Sequence, residues 1–92
     1  VYYILLALIE PKHGYGIMQQ TAELSGGRLS LSAGTLYGAL ASLQEKGWIT
    51  PLPEEGRKKE YQITDAGLQV LVAELERLTE LVENGKQLLN IK

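Results

Sequence analysis

Apolar residues recur along this chain with the period of helices, interrupted once by an alternating stretch. Val1 to Ile9 is apolar throughout, which predicts a buried first helix from Val1 to about Glu10. Pro11 stops it, because the residue before a proline avoids the α region. A second helix is expected from about Gly14-Tyr15, with Ile17, Thr21 and Leu24 on one face and Met18 and Ala22 beside them. Gly26-Gly27 ends it, and Arg28-Leu29-Ser30-Leu31 alternates as a short extended piece would.

Ser32 is suited to cap a third helix, whose Leu36, Leu40 and Leu43 form one buried stripe up to Gly47. The opposite face carries Gly34, Gly38, Ala41, Ser42 and Glu45. Small residues there either let something large come close, such as a DNA groove wall or another backbone, or mark a tolerant surface. Trp48-Ile49-Thr50-Pro51-Leu52 has strand character, held to a sheet edge by Pro51. After a turn at Pro53-Glu54-Glu55-Gly56, residues 57–63 alternate, with Lys59, Tyr61 and Ile63 on one face and Lys58, Glu60 and Gln62 on the other.

Thr64-Asp65 opens the last helix, expected to reach Lys92. Leu68, Leu71, Leu75, Leu78, Val82 and Leu89 follow 3-4 spacing, with Gly85 in the gap. Such a helix is roughly 40 Å long. A domain of this size has a radius of gyration of about 12 Å. The helix therefore projects beyond its own core, and its stripe needs a partner. A two-fold dimer through Leu71, Leu75, Leu78, Val82 and Leu89 is expected, with the first helix packed against the other copy.

Composition narrows the chemistry. Ninety-two residues, 45 % hydrophobic and 22 % charged, describe a small globular domain. With no Cys and one His, the common zinc sites and a Cys nucleophile are excluded, and His13 reads as a loop residue. One Asp, one His and no phosphate-cradling glycine loop give catalysis no footing. The opening apolar run of nine is too short to span a bilayer, which takes about 20 residues, and it lacks the flanks of a signal peptide. The default compartment is then the cytoplasm. A chain starting at Val1 is expected to be a fragment of a longer product. The net charge of −2 does not announce a nucleic-acid binder.

The order of elements and one basic run point to it instead. Three helices, a two-stranded hairpin and a helix make a winged helix-turn-helix over residues 1–63, followed by a dimerisation helix over 64–92. The fold class is mainly α with a small β-hairpin. In such a fold the third helix enters a major groove and the wing tip touches the backbone or minor groove. Arg57-Lys58-Lys59, the one basic run, lies at that tip.

His13-Gly14-Tyr15-Gly16-Ile17, Gly34-Thr35-Leu36-Tyr37-Gly38-Ala39-Leu40, Leu43-Gln44-Glu45-Lys46-Gly47-Trp48-Ile49 and Gly56-Arg57-Lys58-Lys59-Glu60-Tyr61-Gln62-Ile63-Thr64 occur in this order. Together they resemble the PadR family of bacterial transcriptional regulators over nearly the whole chain. The resemblance implies a winged helix-turn-helix dimer, usually a repressor on a palindrome. It resembles the short branch, whose members often respond to small aromatic or drug-like ligands. Departures are Glu60 and Gln62 flanking the wing tyrosine, where the family often has an aromatic and a basic residue, and Ala33 where it commonly has proline or glycine. The first helix also lacks its initial turn or two. The final helix has no aromatic residue, which leaves Tyr2, Tyr3 and Trp48 for any aromatic ligand.

The expected DNA-binding residues are Tyr15, Ser32, Ala33, Gly34, Thr35, Tyr37, Gly38, Ser42, Arg57, Lys58 and Lys59. Tyr37 either reaches a phosphate or packs on the second helix, and Tyr15 lies beside that helix's first amides. Ser32 and Thr35 are first-turn residues, where base contacts originate, though Ser32 serves equally as a cap. Lys12 is a further candidate for phosphate. No cofactor or metal is implied. A small-molecule effector, if there is one, belongs between protomers against the first and last helices. The expected partners are double-stranded DNA and a second copy, with no membrane. The competing readings are a winged-helix module that binds protein and not DNA, and a small-ligand carrier.

Overall fold

The chain was analysed as a computed structural model that describes residues 1–53 and 59–90. Its elements are α1 (Tyr2–Ala7), β1 (Lys12–His13), α2 (Gly14–Leu24), α3 (Ala33–Glu45), β2 (Ile49–Pro51), β3 (Glu60–Ile63) and α4 (Asp65–Leu89). Helices α1, α2 and α3 bury most of the apolar stripes read from the sequence, Leu24 being exposed. Ile4, Leu5, Leu8, Ile17, Leu36, Leu40 and Leu43 meet Ile49, Tyr61 and Leu71 in one core. Fully burying such a side chain contributes about 1.5–3 kcal/mol each, so this cluster sets the stability of the head.

The first helix is shorter than its apolar run. It stops at Ala7, three residues before the expected end at Glu10. The sheet accounts for this: Ile63 N–H donates to the Leu8 carbonyl at 2.9 Å, and Lys12 Nζ donates to the Ala7 carbonyl at 2.9 Å. Both carbonyls have tertiary partners instead of a further helical turn.

The sheet has a third strand that the pattern did not announce. Its order is β1-β3-β2, all antiparallel, with Lys12 opposite Tyr61, His13 opposite Glu60, and Ile49, Thr50 and Pro51 opposite Ile63, Gln62 and Tyr61. Pro51 stands on an edge strand, as its missing N–H requires. Two residues are too few to show alternation, which is why β1 is silent in the sequence. Residues 28–31 are not a strand. The Leu29 N–H is taken by Ser25 Oγ at 2.9 Å, and Leu31 packs against the core.

Three helix starts are capped by side chains. His13 Nδ1 accepts from Gly16 N–H at 3.1 Å and so caps α2, a role beyond that of a loop histidine. Ser32 caps α3. Thr64 caps α4 by accepting from Gly67 N–H at 3.1 Å, while its hydroxyl donates to the Gly47 carbonyl at 2.7 Å and its N–H donates to the Trp48 carbonyl at 3.0 Å. Thr64 thus fastens the end of α3 to the start of α4. Gly67 lets the two approach: a Cβ there would strike the Trp48 carbonyl and Ile63 Cγ1.

From this anchor α4 runs for 25 residues, about 37 Å at the helical rise. The molecule measures 54 × 28 × 19 Å with a radius of gyration of 15.2 Å, larger than a compact chain of this length requires. Along α4 only Gly67 and Leu71 are buried, both in its first two turns. Asn90 closes it in the left-handed conformation at φ 62°.

Candidate nucleic-acid interface

Helix α3 separates its residues by face. Leu36, Leu40 and Leu43 are inside, whereas Ser32, Ala33, Gly34, Thr35, Gly38, Ala41 and Ser42 are exposed. A Cβ on Gly34 or Gly38 would meet nothing within 4 Å. The fold's own packing therefore does not need glycine at either place, and the space outside the helix is open.

The first turn of α3 is held by a pair of hydroxyls. Ser32 Oγ accepts from the Thr35 N–H at 3.2 Å, and the Ser32 hydroxyl donates to Thr35 Oγ1 at 2.9 Å. Ser32 is thus a cap and remains exposed on the same surface as Thr35.

Tyr37 packs on the second helix and still faces solvent. Its ring lies over the start of α2, where a Cβ on Gly14 would stand 2.6 Å from its hydroxyl, yet the residue is 53 % exposed. Gly14 is what allows this seat. The next residue, Tyr15, is 67 % exposed, so two phenols flank the start of α2 on the outside of the head. Gly34, Thr35, Gly38 and Ser42 lie on the face opposite the leucines, with Ser32 and Ala33 exposed at the start of the helix and Tyr37 at its flank.

Of the basic run, Lys59 is exposed, with its Nζ 5.6 Å from the Tyr61 ring centroid. Arg57 and Lys58 lie outside the described residues. Lys12, held on the Ala7 carbonyl, is turned to structural use.

The stripe on α4 divides. Leu71 is 5 % exposed and belongs to the chain's own core, while Leu75 is 52 %, Val82 53 % and Leu89 71 % exposed, with Leu78 half-buried. Val72, Leu81 and Leu88 extend the exposed apolar surface beyond the expected seam. For Leu81 and Leu88 the signal in the sequence was their seven-residue step. Where α4 leaves the head, Val1, Tyr2, Leu5, Trp48, Val70, Leu71 and Glu74 line a groove of about 310 Å³. The Arg77 guanidinium hydrogen-bonds the Glu74 carboxylate and holds its pKa below the usual carboxylate range. Among the described residues, no cluster of three His, Asp or Glu side chains could hold a metal, and no helix is long and apolar enough to cross a membrane.

These elements define a winged helix-turn-helix protein with a projecting terminal helix. Residues 4–73 match the Transcriptional regulator PadR-like family, and the chain belongs to it. That family consists of transcriptional regulators, not enzymes. The chain is 35 % identical over 77 residues to the transcriptional regulator YqjI of Escherichia coli K12, covering 84 % of this chain and 37 % of that protein. It is 40 % identical over 79 residues to an uncharacterized 37.1 kDa protein in transposon TN4556 of Streptomyces fradiae, covering 85 % and 22 %. The chain thus spans well under half the length of these relatives. Among solved structures, a PadR family transcription regulator from Clostridium difficile R20291 superposes with a TM-score of 0.78 at 26 % identity, over 96 % of this chain and 97 % of that one. A PadR-like transcription factor from Bacteroides fragilis gives 0.77 at 28 % identity, over 95 % and 86 %.

Proposed function

We propose that this chain is a sequence-specific DNA-binding repressor that acts in the cytoplasm and binds a palindromic operator as a homodimer. The observation that carries this reading is the exposed face of α3: a well-capped helix whose outer positions are Gly34, Thr35, Gly38 and Ser42, with open space in front of them. Helices of this kind dock with their first turn on base edges. Tyr15, Tyr37 and the run Arg57, Lys58 and Lys59 supply backbone contacts around it. Residues 1–63 are the DNA-binding unit and 64–92 the dimerisation helix, with Leu75, Leu78, Val82 and Leu89 as the seam and Leu71 bracing its base. A small ligand lodged between protomers, against α1 and α4, would release the operator by changing the spacing of the two reading helices.

The test is to select bound duplexes from a random library. The expected outcome is an inverted repeat whose half-sites are centred about 10 bp apart or a multiple of that. Enriched sequences without a dyad would refute the dimeric reading. A second reading, a protein-binding module, is favoured by the charge: residues 1–63 hold six Lys or Arg and six Asp or Glu. A salt-sensitive shift of labelled duplex discriminates the two, since phosphate contacts release counterions and protein docking on an apolar face does not.

A further inference from the structure

We propose that Thr64 is a positioning residue for operator spacing: its hydroxyl clasps the end of the reading helix α3 to the start of α4, and so fixes how far apart a dimer's two reading helices stand. The inference rests on the dimeric DNA-binding reading above. A helix cap needs only an acceptor, and Thr64 Oγ1 supplies it by accepting the Gly67 N–H at 3.1 Å. The hydroxyl hydrogen is not needed for the cap. It is donated to the Gly47 carbonyl at 2.7 Å, 17 residues back in the chain. Both directions are fixed by the partners, since an amide N–H only donates and a carbonyl only accepts. The Thr64 N–H adds a bond to the next carbonyl, that of Trp48, at 3.0 Å.

The two carbonyls belong to the residues that close α3. The Gly47 N–H returns to the Gln44 carbonyl and the Trp48 N–H to the Leu43 carbonyl, each at 3.0 Å, with Gly47 at φ 78°. Through Thr64 the end of one helix is therefore bonded to the start of the other. The other fixed point of α4 is Leu71, buried in the core, and α1 meets α4 at the same level, where Tyr2 and Leu5 line a groove with Val70 and Leu71. Two points define an axis. Thr64 stands about 10 Å before Leu71 along the helix, and Val82 about 17 Å after it. Pivoting on Leu71, a shift of about 2 Å at the helix start moves Val82 by about 3 Å, close to one base-pair step of about 3.4 Å. A loosened clasp thus blurs the spacing of half-sites by about one base pair.

The roles of cap and clasp can be separated. Aspartate also caps helices, but an ionised carboxylate has no hydrogen to give the Gly47 carbonyl. Serine keeps both functions. The experiment uses the full chain and the duplex recovered by selection, together with duplexes carrying one base pair more or fewer between the half-sites. Dissociation constants are measured for the unmodified protein, Thr64→Ser, Thr64→Asp and Thr64→Val, with light scattering and melting curves for each. The ratio between duplexes is the readout, because a uniform loss of affinity cancels in it. A one-base-pair change should weaken the unmodified protein and Thr64→Ser roughly 100-fold, since only one half-site can then be engaged. Thr64→Asp should remain a folded dimer, yet differ less than about tenfold among the three duplexes. Thr64→Val should show the same flattened profile with a lower Tm. A full spacing penalty in folded Thr64→Asp or Thr64→Val, or a flattened one in Thr64→Ser, would overturn the proposal. So would unfolding of both Thr64→Asp and Thr64→Val, which would make the clasp a requirement of the fold. An unmodified protein that is monomeric, or that ignores spacing, would instead sink the dimeric reading, a different and recognisable result.

Discussion

Leu71 and Leu75 are one helical turn apart on the same stripe of α4, yet one is 5 % exposed and the other 52 %. Below the division, α4 is part of the head: Thr64 caps it, Gly67 presses against the Trp48 carbonyl, and Leu71 closes the core. Above it, Leu75, Val82 and Leu89 face outward, each more than half exposed. The spacing is continuous through both regions. Periodicity reports which residues share a face, and burial depends on what happens to stand opposite.

The largest expected effect breaks the base. Leu71→Ala should destabilise the protein by about 2–5 kcal/mol, the cost of emptying a core site, and lower Tm by roughly 10 °C or more at every protein concentration. Gly67→Ala should act in the same direction, because its Cβ has no room. A melting temperature unchanged in both variants would remove α4's first turns from the core.

Next in size is the upper stripe. Leu75→Glu puts a charge on a half-exposed surface, so the head should stay folded while the dimer dissociates. Light scattering at micromolar concentration should report a monomer, and circular dichroism should report retained helix. An unmutated chain that is already monomeric would end the dimer proposal. A Leu75→Glu protein that unfolds would show that the two regions are not energetically separable.

A third comparison is between the head's neutral overall charge and its wing. Each phosphate neutralised contributes about 0.9 to the slope of log affinity against log salt. Replacing Lys58 and Lys59 with Ala should weaken all duplexes alike and flatten that slope by about 3 to 4 per dimer. An unchanged slope would make the wing tip a solvated turn.

The smallest effect is expected at the Glu74–Arg77 pair, exposed just where the two parts of α4 meet. Arg77→Ala should return the Glu74 pKa upward toward its ordinary value, visible by NMR titration. A depressed carboxylate pKa contributes stability above its unfolded value that fades as pH falls through the folded one. At this exposed position solvent screens the pair, so Tm should not move measurably. A clear loss of stability would mean that the pair is covered by a partner.

Much of the candidate site was legible in the chain because it depends on neighbours in sequence. Ser32 as a cap, the Leu36-Leu40-Leu43 stripe and the small outer face of α3 all follow from helical spacing, which local backbone geometry imposes. The seat of Tyr37 over Gly14 did not follow, since it depends on how α2 and α3 cross. His13 also looked like an isolated loop residue, because its role as a cap appears only once α2 begins at Gly14.

By itself the sequence determined the order of the helices and the hairpin, the caps Ser32 and Thr64, the buried stripe of α3 and the family resemblance, all of which rest on spacing along the chain. Tertiary structure decided where α1 ends, that Lys12-His13 joins the wing as a third strand, and at which turn α4 leaves the head. Those outcomes are competitions between partners far apart in the chain. The Leu8 carbonyl goes to Ile63, the Trp48 carbonyl receives Thr64, and Leu71 meets a core that ends before Leu75. No local pattern records which distant group arrives.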